Sequence, residues 1–177
     1  MNKREKNKRR AASVALAGML FALACVMSLL ENMIMLPTMP GVKIGLANIV
    51  VMYALFFIGK RYAFLLVLLK AGFNAMVMGV TAGAISLSGG LISLLAIIAV
   101  SAASKNKASY YFLSVTGAVF HNMGQLLVAG ALLKFSITLY YAPVLIIAGI
   151  IVGTITAAAL KIIMPALSKL KIKKDDK

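Results

Sequence analysis

The chain has 177 residues, 62% of them hydrophobic, with a mean hydropathy of +0.98 and a formal net charge of +15. Soluble domains are about half apolar, so this excess excludes a soluble globular fold, and no hydrophilic block is large enough for a second, soluble domain. One cysteine, one histidine and four scattered acids exclude an internal disulfide and a protein-held zinc centre, which takes about four ligands.

The first ten residues, MNKREKNKRR, are basic, and an apolar run follows from Ala11 to Leu30. A cleavable signal has an apolar region of about 7–15 residues, so the longer run reads as an uncleaved first membrane helix. Its small residues Ala11, Ala15, Gly18 and Ala22 fall at four- and three-residue spacings, which permit close approach of another helix. Glu31 closes the run, Pro37 and Pro40-Gly41 break the chain, and Glu31 and Lys43 bracket this first loop.

The second span is expected near 44–59, with Asn48 about one turn in, and Gly59-Lys60-Arg61 ends it. The third, near 62–80, carries Lys70 and Asn74 four residues apart and therefore on one helical face. A break at Gly83 leads to a fourth span near 85–103, where SLSGGL at 86–91 weakens the first turn. Ser104 to Lys107 forms the next loop. The fifth span, near 109–133, holds His121 and Gln125 on one face, in line with Ser114 and Gly117, with Asn122 about 100° round the helix. Lys134 to Pro143 precedes the sixth span, near 143–165, where Gly149, Gly153 and Ala157 form a second small-residue stripe.

These runs match bilayer spans of about 20 residues and predict an all-α integral membrane protein, a bundle of six transmembrane helices. Residues 1–10 are then a basic cytoplasmic N-terminus, 11–168 the membrane domain and 169–177 a basic cytoplasmic tail. With both termini cytoplasmic, 16 of the 19 lysines and arginines lie inside, as the positive-inside rule requires. The basic ends read as topology signals that meet anionic lipid, so the bilayer is a partner and nucleic acid is not.

Polar side chains within a membrane are costly and mark interhelical bonds or ligand sites. An interhelical hydrogen bond there is worth about 0.6 kcal/mol on average, which suffices to explain a lone Asn or Gln. A charge at mid-membrane costs about 2.5–3.5 kcal/mol, so Lys70 calls for a carboxylate, with Glu31 the one outer candidate, or for an anionic ligand. The candidate binding residues are Glu31, Lys43, Asn48, Lys70, Asn74, His121, Asn122 and Gln125. No catalytic set is expected. A phosphate loop for ATP is missing, and the one aspartate pair, Asp175-Asp176, sits in the lysine-rich tail rather than in a magnesium-holding cluster.

The segments PGVKIGLANIV at 40–50 and SVTGAVFHNMGQLLVA at 114–129, with the Ser88-Gly89-Gly90 turn between them, carry a resemblance. The chain resembles, over nearly its whole length, small bacterial membrane proteins called the Gx transporter family or heptaprenyl diphosphate synthase component I. That family is similar in turn to the substrate-binding S components of energy-coupling-factor (ECF) transporters. The resemblance implies a six-helix bundle in the bacterial plasma membrane, a small-molecule pocket towards the outer side, and a coupling subunit with two ATPases as partners. It implies that Ala11, Ala15, Gly18 and Ala22 meet the coupling subunit, and that flavins or quinones are plausible cargo. The alternatives are a non-catalytic membrane subunit of a prenyl synthase and a membrane part of an extracellular electron-transfer assembly. No cofactor is implied.

Overall fold

The computed structural model contains six α-helices among the described residues. The structure describes residues 3–33, 45–105, 107–132 and 135–169. The helices are α1 (Lys3–Met33), α2 (Asn48–Phe57), α3 (Lys60–Met78), α4 (Val80–Ala103), α5 (Tyr110–Leu132) and α6 (Phe135–Lys169), and no strand occurs among the described residues. Five are long and apolar enough to cross a membrane. This is a multi-pass helical membrane protein.

The remaining helix, α2, departs from the sequence expectation. A span near 44–59 was expected, yet α2 has 10 residues and rises only about 15 Å, half a bilayer core. Residues before it turn instead: the Asn48 N–H donates to the Gly45 carbonyl at 2.9 Å and the Ile49 N–H to that of Leu46 at 3.0 Å. Gly45 has φ +97°, a conformation that a side chain would strain. Irregular backbone at membrane depth is tolerated where protein surrounds it, and Gly45, Ala47 and Asn48 are all buried.

The break between the third and fourth spans was expected at Gly83 and falls at Gly79. Gly79, at φ +93°, alone joins α3 to α4. Gly83 is helical and serves the hairpin differently, because a Cβ there would lie 2.5 Å from the Ala75 Cβ. SLSGGL, expected to weaken a helix start, lies in mid-α4, where Gly90 lets Val67 of α3 approach. The sixth helix also begins earlier, at Phe135 rather than near 143, and runs through Pro143.

Close approaches give the helix directions. Ala75 lies beside Gly83 and Val67 beside Gly90, so α3 and α4 are antiparallel. Gly117 faces Ile97 and Gly124 faces Ser88, so α4 and α5 are antiparallel too. Gly149 and Gly153 rest on the α5 backbone at Val119 and Val115, which places the α6 stripe inside the bundle. Along the chain, α3 to α6 pack in sequence, while α1 leans on α2 and α3. The central helix α2 touches α1, α3, α4 and α5. Its Phe56 meets Tyr110 at the start of α5 edge-on, with ring centroids 5.2 Å apart. These directions collect the starts of α3 and α5 and the end of α4, with Lys60, Arg61, Lys105 and Lys107, at one end of the bundle.

Candidate functional site

Four helices bring polar side chains to one cavity. Ser28 and Glu31 come from α1, Lys70 and Asn74 from α3, Ser86 from α4, and His121 and Gln125 from α5. All seven are buried. The spacings explain how: residues three or four apart on α1, α3 and α5 share a face, and each face turns inward. His121 lies roughly 17 Å along α5 at 1.5 Å per residue, near mid-helix. The space between these groups admits about one water molecule.

Each wall is held by contacts of its own. The Glu31 carboxylate accepts the Leu46 backbone N–H, which ties the end of α1 to the turn before α2. The Asn74 side-chain amide donates to the Ser86 hydroxyl at 2.8 Å, bridging α3 and α4 near their glycine joint. His121 lies between two glycines. A Cβ on Gly45 would come to 3.1 Å from its Cδ2, and one on Gly89 to 2.9 Å from its Cε1.

Of the residues read from the sequence, Glu31, Lys70, Asn74, His121 and Gln125 meet at this cavity. Two others are buried nearby without lining it. Asn48 donates to the Ser93 hydroxyl at 3.0 Å, joining α2 to α4, and Asn122 donates to the Leu145 carbonyl at 2.7 Å, joining α5 to α6. Lys43 lies outside the described residues. Ala11, Ala15, Gly18 and Ala22 are exposed along α1. Gly117 and Gly124 of α5 admit Ile97 and the Ser88–Gly89 backbone of α4.

Sequence reasoning missed Ser28, Ser86 and the two glycines around the imidazole. Ser28 stands three residues before Glu31, on the same face, and that spacing was an available signal. Ser86 had none, because its pairing with Asn74 depends on where α3 folds back. Among the described residues, no three His, Cys, Asp or Glu side chains stand together as metal ligands.

The family model described as heptaprenyl diphosphate synthase component I matches residues 20–163. The chain belongs to that family. The match takes in every cavity residue and leaves out most of the basic ends. Neither the curated proteins nor the solved structures contain a match. For a member of the heptaprenyl diphosphate synthase component I family, the site is notable for its chemistry: one carboxylate, one ammonium, an imidazole and several neutral hydrogen-bonding groups, with no aspartate pair. Such a set suits recognition of a polar group by hydrogen bonds and charge.

Proposed function

We propose that this chain is a substrate-binding membrane component of the kind that serves ECF transporters, and that the cavity between α1, α3, α4 and α5 is its ligand site. The convergence of Glu31, Lys70, Asn74, His121 and Gln125 from three helices carries this reading. Polar groups gathered at one point inside a membrane domain suit a binding site better than scattered interhelical pairs do. The protein works in the bacterial plasma membrane with its basic ends in the cytoplasm. It has no catalytic activity of its own and relies on a coupling subunit and ATPases, which meet the exposed Ala11, Ala15, Gly18 and Ala22 of α1.

The cargo is a small molecule, with flavin- and quinone-related compounds the first to test. Either is far larger than a water molecule, so loading requires the site to open. Helix α1 is the wall that moves, because it leans on α2 and α3 and has no comparable contact with α5 or α6 among the described residues. The Glu31 contact with Leu46 is then the latch that must release.

The family name supports a second reading, a non-catalytic membrane subunit bound to a soluble, aspartate-rich prenyl synthase. Mild-detergent purification with mass spectrometry of proteins and bound small molecules separates the two. Recovery of a coupling subunit, ATPases and a small molecule supports transport; recovery of a prenyl synthase alone replaces it. Orientation is tested by cysteine labelling in a background lacking Cys25. Probes at Lys134 or Thr38 should react from outside and probes at Lys60 or Ser104 should not, and outside labelling at Lys60 ends the reading with both basic ends in the cytoplasm.

A further inference from the structure

The imidazole of His121 is held on every edge but one. Its Cδ2 edge faces Gly45 and its Cε1 edge faces Gly89, each close enough that a methyl group on the glycine would crowd it. The ring also has a hydrogen bond with the Gly89 backbone. In mid-α4 the Gly89 N–H is committed to its own helix, so the partner is the carbonyl, whose second lone pair is free to accept. Nδ1 is buried and has no hydrogen-bond partner, so the donating nitrogen is Nε2. A neutral imidazole carries one proton, and a proton on Nε2 leaves Nδ1 an acceptor.

The geometry points to His121 Nδ1 as a preset acceptor within the ligand site, which selects cargo carrying an O–H or N–H donor. This rests on the binding reading given above and narrows it. Nδ1 is the one ring nitrogen without a protein partner, and His121 lines the cavity. A buried acceptor left unpaired is unfavourable, so a ligand that brings a donor gains and one that brings only carbonyls loses. Sites built to meet an O–H or N–H discriminate strongly against analogues without one, for the same reason. Lys70, in the same cavity, supplies the complementary donor for an acceptor on the ligand. The selected class is therefore a polar group with a donor beside an acceptor, such as a flavin edge or a reduced quinol. An oxidised quinone, with carbonyls alone, does not fit.

His121 is the chain's single histidine, so its nitrogens can be observed without assignment. The full chain, labelled with 15N-histidine and placed in phosphatidylethanolamine–phosphatidylglycerol vesicles, should show a protonated Nε2 and a bare Nδ1. A proton on Nδ1 overturns the inference. Menadione and its diol, under anaerobic conditions, then provide a pair on one skeleton that differs in O–H donors. The diol should bind about tenfold more tightly and displace the Nδ1 resonance. Equal or tighter binding of menadione overturns the inference.

Two variants separate ligand recognition from packing. His121→Asn keeps an acceptor near the Nδ1 position and loses the reach to Gly89, whereas His121→Gln reaches Gly89 and loses that acceptor. His121→Asn should keep the preference for the diol and His121→Gln should abolish it; the reverse pattern overturns the inference. If neither compound binds while Nδ1 stays bare, the acceptor assignment holds and the quinone-type cargo of the proposed function fails.

Discussion

Helices α1 and α5 are both long and apolar enough to span a membrane, yet they serve the bundle differently. Of the apolar 18-residue stretch that qualifies each helix as a span, 22% is buried by protein in α1 and 56% in α5. Helix α5 contacts α4 along one side and α6 along the other; its Gly124 admits the α4 backbone, and Gly149 and Gly153 of α6 close on the α5 backbone. Helix α1 exposes its small residues, and at Gly18 a Cβ would meet nothing within 4 Å. Small residues thus mean opposite things in the two helices. In α5 and its partner α6 they are used up in packing, and in α1 they remain available.

The largest expected effect lies on the packed side. Gly153→Val places a Cβ 2.6 Å from the Val115 Cα, a backbone atom that cannot move alone. The variant should lose about 3 kcal/mol or fail to give folded protein, while Gly18→Val should melt like the parent in detergent. Equal losses in both would erase the contrast between the two helices.

Next in size is Lys70→Met, on the wall between them. Hydrogen bonds to charged groups run to about 1.5–3 kcal/mol, so retention of the bound small molecule should fall roughly ten- to a hundredfold. Unchanged retention would assign Lys70 to the protein's internal contacts and move the ligand site elsewhere.

Smaller effects should divide α5 against itself. Asn122→Ala removes the bond to Leu145 and should cost about 1 kcal/mol of stability without changing ligand affinity. Gln125→Ala should weaken binding about two- to tenfold. Melting and affinity measured together on both variants give the result, and weakened affinity in Asn122→Ala would return that residue to the ligand site.

The smallest effect on stability belongs to Ala15→Leu, on the open face of α1. Its melting temperature should stay at the parent value, while co-purification of a coupling subunit should be lost. Retention of that subunit by Ala15→Leu would place the docking surface elsewhere.

Much of the site was legible because charge and hydrogen-bonding groups are conspicuous among apolar residues. Lys70 with Asn74, and His121 with Gln125, share a face by helical period alone, and each pair reached the cavity. Asn48 and Asn122 carry the same kind of side chain and went to interhelical bonds, because a hydrogen-bonding group records the need for a partner and not which partner answers it. The glycines were hardest to read. Gly89 lies in a stretch that by composition weakens a helix, yet it seats the imidazole, a role that exists only once α4 lies beside α5.

By itself the sequence determined what depends on local composition and period: a membrane-embedded helical chain, the separate basic clusters, and the faces on which polar residues align. Hydropathy and the 3.6-residue turn need no knowledge of the neighbours. Tertiary structure decided the rest. It made α2 half a span, because surrounding helices could shelter an irregular turn at Gly45, and it placed the third fold-back at Gly79, where Gly83 could press against Ala75. It also chose which small-residue stripes were buried and which imidazole nitrogen faces no protein partner. Those outcomes depend on contacts between helices far apart in the chain, and neither hydropathy nor period encodes such distances.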